Sequence, residues 1–278
     1  MDRSMNKPTT LQLESADDAL RERILAGKDA VLAEVAYFRQ NFGQAVTEWK
    51  SDGTRVTNVD VAISENIFRA LSASFREDDY CSEESADDAE HRSLSAEFAW
   101  VLDPVDGTNN YAVGVPECGI SLGLLRDGMP VFGFIYDNGR DALLQGGPGF
   151  GSFEGNEPIA STDSLVNEKL TFCMHFPIPE GALDRLRECL TVWRIRCPGS
   201  AAVGLSNVAA GRLDGSLEYR SKPWDCAAGY PICLGSGAEF HFLGEPAFPM
   251  RSFSTAMPTF PFYVGSPIFC DAIAKVFT

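Results

Sequence analysis

A buried strand that runs directly into a cluster of acids constrains this chain of 278 residues more than any other feature. Residues 98–102 are apolar, and Asp103 and Asp106 follow within the next four positions. Two carboxylates held close together in a partly buried place repel each other, so at neutral pH they need protons or bound Mg²⁺. The alternative is a plain turn, because Asp-Pro and Asp-Gly are common turn dipeptides and Thr108 can cap a following helix.

Composition and charge disfavour several classes of protein. An apolar fraction of 45% is enough to bury a large core in one big domain or in two lobes. The net charge of −16 disfavours binding to nucleic acid or anionic lipid, and no apolar stretch is long enough to cross a membrane. Eight scattered cysteines and three histidines favour neither a disulfide framework nor a zinc site. The N-terminus is polar and lacks the apolar core of a secretion signal, so we expect a cytoplasmic protein.

Hydrophobic periodicity predicts an alternation of helices and strands. Helices are expected at residues 14–42, from about residue 57 to 75, and at 181–190, 201–210, 225–234 and 269–277. Strands are expected at residues 98–102, 120–125, 131–136, 169–175, 192–197, 215–219, 239–243 and 260–264, with a glycine-rich hairpin at 143–153. Short turns in the first half imply antiparallel pairing, whereas helices and strands alternate in the second half.

Two lobes follow from this order. Residues 1–160 form an N-terminal α+β lobe that carries most of the acids, and residues 161–278 form a C-terminal α/β lobe that carries Asp225. The boundary is expected at residues 156–167, where Pro, Ser, Thr and Asp collect. A Walker loop and a GxGxxG fingerprint are both absent from the sequence, which disfavours P-loop nucleotide hydrolysis and nicotinamide chemistry.

Other acids lie in contexts that can bring them to the same place. Asp60 follows Thr57 by three residues, which is typical of a capping box, although its carboxylate can also face the acid cluster. Glu83 and Glu84 belong either to a solvated acidic loop or to the end of a short strand that begins near Tyr80. In the second case, Glu83 reaches a sheet edge and the outer acid turns to water.

Two helix starts in the second half have both a structural and a functional interpretation. Asp225 is either an N-cap or a carboxylate held beside a groove by Trp224. Gly199, Ser200 and Ala201 open another helix, whose amides can bind a phosphate or a sugar hydroxyl. A serine N-cap explains that second motif equally well.

Four motifs together give the chain a strong resemblance to the inositol monophosphatase family, within the superfamily that includes fructose-1,6-bisphosphatases. They are Asp103-Pro104-Val105-Asp106-Gly107-Thr108-Asn109-Asn110-Tyr111, Pro223-Trp224-Asp225-Cys226-Ala227-Ala228-Gly229, Ser82-Glu83-Glu84 and Val56-Thr57-Asn58-Val59-Asp60. Their order and spacing match over about residues 20 to 235. The resemblance implies a layered α/β/α/β/α sandwich with an antiparallel N-terminal sheet and a mixed C-terminal sheet. It also implies a Mg²⁺-dependent, lithium-sensitive phosphomonoesterase that forms a homodimer.

The resemblance further implies roles for individual residues. The ligands of two or three Mg²⁺ ions would be Glu83, Asp103, the Val105 carbonyl, Asp106 and Asp225. Glu83 and Thr108 would orient the attacking water, with Asp60 and Lys50 near the third ion. Substrate contacts would come from Gly107, Thr108, Gly199, Ser200, Ala201 and Glu218.

The substrate itself stays open at this point. Inositol monophosphate is the first candidate, and histidinol phosphate, fructose 1,6-bisphosphate and a nucleotide 3′-phosphate are alternatives. Cys81 and Ser82 replace the glycine that often precedes the Glu pair, and the region after Gly235 departs from the family pattern. Arg220 and Lys222 lie close enough to Asp225 in sequence to bind a second anionic group. An alternative of another class is a metal-binding regulatory protein with little turnover.

Overall fold

The computed structural model describes residue 11, residue 13 and residues 16–49, 55–85, 91–162 and 169–277. Within these residues the helices are α1 (Asp18–Asn41), α2 (Asn58–Ser72), α3 (Thr108–Val113), α4 (Ala182–Val192), α5 (Ala201–Ala209), α6 (Pro223–Cys226), α7 (Gly229–Gly235) and α8 (Pro267–Phe277). The strands of the first half are β1 (Thr47–Trp49), β2 (Arg55–Thr57), β3 (Asp79–Ser82), β4 (Arg92–Ser93), β5 (Phe98–Asp106), β6 (Gly119–Arg126), β7 (Met129–Asp137), β8 (Ala142–Gly147), β9 (Gly151–Glu154) and β10 (Glu157–Ile159). Those of the second half are β11 (Thr171–Met174), β12 (Arg194–Arg196), β13 (Gly215–Glu218), β14 (Glu239–Phe242), β15 (Ser252–Phe253) and β16 (Phe262–Gly265).

Two large sheets organise these strands. The first has seven strands in the order β10-β9-β8-β7-β6-β5-β3, and the second has five in the order β12-β11-β13-β16-β14. The second sheet is mixed, as predicted, because β11 is parallel to β12 and β13 while β16 is antiparallel to both of its neighbours. The first sheet is antiparallel apart from β3, which is parallel to β5. A short strand near Tyr80 was one of the two alternatives for this segment, but its parallel direction was not predicted. It carries the chain from α2 toward Glu83.

Helices cover both sheets and also lie between them. Alternate residues of β5 point to opposite faces, so Trp100 packs with α1 and α2 while Val101 packs with α5 and α7. The second sheet contacts α5 on its inner side, and its outer side buries Phe172 against α4 and α8. The predicted α/β/α/β/α sandwich is confirmed.

The long N-terminal helix, predicted at residues 14–42, begins at Asp18 and has Asp17 as its N-cap. The Asp17 carboxylate accepts a hydrogen bond from the Leu20 amide at 2.8 Å, which satisfies one of the free amides of the first turn. The apolar stripe of α1 is buried against the first sheet, including Ile24 and Val31. Because the boundary predicted at residues 156–167 falls partly outside the described residues, the division into lobes stays a prediction. None of the described helices combines the length and apolar character that a membrane span requires.

Candidate active site

A β-bulge brings the two acids of the central motif to one face of the sheet. In the β5–β6 ladder, Asp103 lies opposite Ser121 and Asp106 lies opposite Gly119, so β5 holds one residue more than its partner between these pairs. In a regular strand, residues three apart point to opposite faces of the sheet. The extra residue of the bulge brings both side chains to the same face. Both carboxylates therefore face the helices between the two sheets. Both side chains are buried, with relative exposures of 3% for Asp103 and 5% for Asp106.

Glu83 reaches the same place at the end of the parallel strand β3. Its amide donates to the Leu102 carbonyl at 3.2 Å, one residue before Asp103. Neighbouring parallel strands end at the same sheet edge, so this pairing fixes Glu83 beside the acids of β5. Glu83 and Glu84 are both partly exposed, and the charge of Glu84 helps raise the pKa of Asp60. The division into an inner and an outer acid therefore stays a prediction.

Asp60 forms the predicted capping box and also contacts a residue of the acid cavity, whereas its place near a third ion stays a prediction. It closes a capping box at the start of α2, where its Oδ2 accepts from the Thr57 amide at 2.8 Å and from the Thr57 hydroxyl. Its Oδ1 lies 3.4 Å from the Thr108 hydroxyl, which also donates to the Val105 carbonyl at 3.0 Å. The buried Asp60 carboxylate therefore supports Thr108 from beneath the cluster.

Asp225 is not the first residue of one long helix. The helix predicted at residues 225–234 is split into α6 and α7, and α6 begins at Pro223, which places Asp225 at its third position rather than at the N-cap. Its Oδ2 accepts from the Lys222 amide at 2.7 Å, which fixes the carboxylate at the start of the helix. Proline favours the first position of a helix because its missing N–H is not needed there. The helix therefore starts two residues before the position that the sequence predicted.

The amides that open α5 bind Asp106. The Asp106 carboxylate accepts from the Ala201 amide at 3.1 Å and from the Ala202 amide, while Ser200 caps the helix by accepting from Val203 at 3.1 Å. The N-cap interpretation of Ser200 is thus confirmed, and the amide expected to face substrate at Ala201 is engaged by an acid. The partial positive charge of this helix start stabilises the Asp106 carboxylate.

These acids surround a cavity of about 200 Å³. Its lining residues are Arg55, Glu83, Asp103, Val105, Asp106, Gly107, Thr108, Asn109, Gly199 and Asp225. Every ligand implied by the resemblance therefore contributes to one space. Gly107 has a φ of 85°, and a Cβ there would lie 2.9 Å from the Glu117 carbonyl oxygen, so this tight turn requires glycine. Lys50 lies outside the described residues.

Burial and mutual repulsion raise the pKa values of the four aspartates at this site. Burial, followed by the charge of Glu83, raises the pKa of Asp103 well above its ordinary value. Burial and Asp106 do the same for Asp225. The pKa of Asp60 rises to about 7 through burial, and that of Asp106 rises to about 6 because burial outweighs the hydrogen bond from Ala202. Carboxylates in this state gain much from a divalent cation.

A second cavity, of about 330 Å³, adjoins the first and shares Asp106, Asn109, Gly199 and Asp225 with it. Its wall holds an acid–histidine pair in which His175 Nδ1 lies 2.6 Å from Glu218 Oε2. Burial lowers the pKa of His175, but the hydrogen bond and charge of Glu218 outweigh burial and raise it.

Sequence reasoning found Glu218 and overlooked its partner His175. The strand predicted at residues 169–175 ends at this histidine, and β11 is a parallel neighbour of β13, with Met174 opposite Leu217. One residue further along, His175 and Glu218 emerge at the same edge. The sequence signal was therefore present, but the pairing of the two strands was needed to interpret it.

Arg55 also lines the acid cavity, and no sequence motif indicated it. Its guanidinium carbon lies 4.6 Å from the centre of the Trp49 ring, and its buried Nε has no hydrogen-bond partner among the described residues.

Another possible metal-binding group lies away from both cavities. The ligand atoms of Glu239, His241 and Cys270 lie within 4.8 Å of one another. However, the Cys270 thiol donates to the backbone carbonyls of Glu239 and Gly265, and burial raises its pKa to about 12. A protonated thiol is a poor zinc ligand.

Comparison with known proteins decides the family. The family model of the inositol monophosphatase family matches residues 21–257. The chain belongs to the inositol monophosphatase family.

Two curated relatives and one solved structure illustrate the range of this family. Fructose-1,6-bisphosphatase/inositol-1-monophosphatase of Aquifex aeolicus is 30% identical over 242 residues, which cover 82% of this chain and 88% of that protein. Nus factor SuhB of Pasteurella multocida is 31% identical over 200 residues, covering 69% and 73%. The structure of staphylococcal inositol monophosphatase-1, solved as an inhibitory complex soaked with LiCl, has a TM-score of 0.77 at 21% identity, covering 94% of this chain and 96% of that one.

The donor atoms of the acid cavity suit Mg²⁺. Four carboxylates and a backbone carbonyl are hard oxygen ligands, whereas softer metals favour thiolate or imidazole. The raised pKa values of Asp103, Asp106 and Asp225 indicate that a cation would relieve repulsion that is built into the fold. The residues of the inositol monophosphatase motifs therefore fit the metal site that the resemblance implies.

Proposed function

We propose that this protein hydrolyses a small phosphomonoester with the help of Mg²⁺ bound in the acid cavity. The observation that carries the proposal is the convergence of Glu83, Asp103, Asp106 and Asp225 on one space of about 200 Å³. Mg²⁺ bound there would neutralise the phosphate, activate water and stabilise the leaving oxygen. We assign Glu83, Asp103, the Val105 carbonyl, Asp106 and Asp225 as the ligands of two or three ions.

The chain's own groups would position the phosphate and the water. In our proposal, Thr108, whose hydroxyl lies between the Val105 carbonyl and Asp60, orients the attacking water together with Glu83. The backbone at Gly107 and Thr108 cradles the phosphate. Because these groups are fixed before substrate arrives, little reorganisation is needed during the reaction. Gly199, Ser200, Ala201 and Glu218 contact the alcohol part, which occupies the second cavity.

Phosphate release from a panel of phosphomonoesters tests this function. The panel comprises inositol 1-phosphate, histidinol phosphate, fructose 1,6-bisphosphate and a nucleotide 3′-phosphate. We expect turnover that requires Mg²⁺ and is inhibited by Li⁺. Asp103→Asn and Asp225→Asn each remove one charged ligand without changing the shape of the side chain. Because loss of a group behind a metal ligand already costs about 10- to 100-fold, we expect each variant to lose more than about 100-fold in kcat/KM.

Asp29→Asn is the matched control, because this exposed carboxylate lies in α1, outside both cavities. It should retain wild-type activity. Wild-type activity in the Asp103→Asn and Asp225→Asn variants would contradict the metal mechanism.

A regulatory role is the second candidate, and the name of the Pasteurella relative, Nus factor SuhB, favours it. In that case the acid cavity would bind Mg²⁺ without turnover. If no compound of the panel is hydrolysed while the protein still binds Mg²⁺, that result would support a regulatory role over catalysis.

A further inference from the structure

The second cavity contains features that bear on the substrate class, and this inference rests on the proposed function. The cavity of about 330 Å³ opens beside Asp106 and Asp225, where the alcohol part of a bound phosphomonoester would lie. Apart from those two acids, its charged lining side chains among the described residues are His175, Glu218 and Arg220.

The acid–histidine pair is already engaged. Glu218 accepts from the Ser216 hydroxyl at 2.7 Å and contacts His175 Nδ1 at 2.6 Å. The Glu218 side chain is 4% exposed. A carboxylate held in this way suits a substrate hydroxyl and repels an anion. An anionic group in this cavity would therefore need a cation elsewhere on the wall.

Besides His175, the basic side chains of Arg220 and Lys222 lie near the cavity, and Lys222 is committed to the protein itself. Its Nζ donates to the Met257 carbonyl and lies 5.8 Å from the centre of the Trp224 ring. These contacts engage the ammonium, and Lys222 is not among the residues that line the cavity.

Arg220, in contrast, lines the cavity with an exposed side chain that has no hydrogen bond or ion pair to any described residue. The backbone that carries it is fixed, because the next residue, Ser221, accepts from the Phe260 amide at 2.7 Å. The guanidinium is therefore a free donor group on a side chain whose backbone attachment to the cavity wall is fixed.

We propose that Arg220 binds a second anionic group, a phosphate or a carboxylate, carried by the alcohol part of the substrate. The planar guanidinium presents paired donors that match the oxygens of either group. A protein with a net charge of −16 repels polyanions in bulk, so a local cation decides whether such a substrate can bind. The substrate class is then a phosphomonoester with another anion at the far end of its carbon chain.

Two matched pairs of substrates test this assignment. Fructose 1-phosphate and fructose 1,6-bisphosphate differ by a second phosphate, whereas sorbitol 6-phosphate and 6-phosphogluconate differ by a carboxylate. For at least one pair, we expect the wild-type KM to be at least about tenfold lower for the member with the extra anion, which corresponds to about 1.4 kcal/mol. The pair that responds identifies which anion is bound. Arg220→Gln should raise the KM of that member by the same factor. It should change the KM of the counterpart without the extra anion less than twofold.

Arg194→Gln is the control, because it removes the same charge from the exposed strand β12, outside the cavity. It should leave all four KM values unchanged. The assignment would be overturned if the extra anion lowered the wild-type KM in neither pair, or if Arg220→Gln changed the KM of both members of a pair equally.

Failure of the proposed function is distinguishable from failure of this inference. If none of the four compounds is hydrolysed, their equilibrium binding in the presence of Mg²⁺ is measured by titration calorimetry. Tighter binding of an anion-bearing member to the wild type than to Arg220→Gln would still support Arg220. Equal binding to both proteins would refute it.

Discussion

At the residue scale, the buried carboxylates of the candidate site repel one another. The same burial that fixes their positions raises the pKa values of Asp60, Asp103, Asp106 and Asp225. A carboxyl whose pKa is higher in the folded than in the unfolded chain binds more protons when folded. The metal-free protein is therefore destabilised as pH rises from about 4, the ordinary pKa of an aspartate, through the value of about 7 for Asp60.

The stabilisation by Mg²⁺ should consequently grow over that pH range. Ionised carboxylates bind the ion and protonated ones do not, so protons compete with Mg²⁺ more strongly at pH 5 than at pH 8. At a Mg²⁺ concentration 100 times its Kd we expect about 2.7 kcal/mol of stabilisation, and much less at pH 5. Thermal unfolding with Mg²⁺ and with a chelator, at intervals from pH 5 to 8, measures this. An equal increase in Tm at both ends of the range would contradict it, and Asp103→Asn should show little increase at any pH.

At the element scale, close packing of α6 and α7 against the first sheet sets the position of Asp225. Gly133 in β7 faces Ala228, and a Cβ on that glycine would lie 2.1 Å from the Ala228 carbonyl oxygen. Gly123 in β6 approaches Ala227 in the same way, with 2.7 Å to its carbonyl carbon. The small residues of the second motif therefore allow close backbone contacts two and three residues after Asp225.

Gly133→Ala should therefore reduce both stability and activity. The added methyl group has no space, and overpacking of this kind costs about 1 to 3 kcal/mol of unfolding free energy. The shift of α6 would also move Asp225 relative to Asp106, so we expect kcat/KM to fall. Urea unfolding and the phosphate-release assay measure the two effects.

Gly244→Ala is the matched control, because nothing lies within 4 Å of a Cβ at Gly244. Its unfolding free energy should stay within about 0.5 kcal/mol of the wild type. A Gly133→Ala protein as stable as this control would refute the packing argument.

The elements were predictable where one face of a strand or helix is buried. Residues 98–102, 120–125 and 131–136 lie within β5, β6 and β7, because alternation and apolar content signal buried strands. The split between α6 and α7 was not predictable, since a run of small residues continues through it. The bulge between Asp103 and Asp106 was not predictable either, because register depends on the partner strand.

At the scale of the whole molecule, the candidate site joins segments that are far apart in sequence. The signature motifs identified Asp60, Glu83, Asp106 and Asp225 because each motif combines an acid with a local turn or helix start. His175 and Arg55 lacked such local signals. Their roles depend on which strands become neighbours, and this information resides in the tertiary packing rather than in any short window.

Assembly is the property of the whole molecule that the family resemblance predicts and a single chain cannot display. We expect a homodimer, because members of the inositol monophosphatase family resemble this chain over most of its length. Light scattering coupled to size exclusion should give twice the mass of one chain. A mass equal to one chain at micromolar concentration would contradict this expectation.

Because β5 contains an extra residue, the placement of Asp103 and Asp106 on one face of the sheet depends on the number of residues between them as well as on their identities. Deleting or inserting one position there would turn one acid away to the far side of the sheet, even if every side chain that could bind an ion were kept. Substitutions at Pro104 or Val105 leave that count intact. The geometry of the site therefore depends on the length of this segment as well as on its two acids.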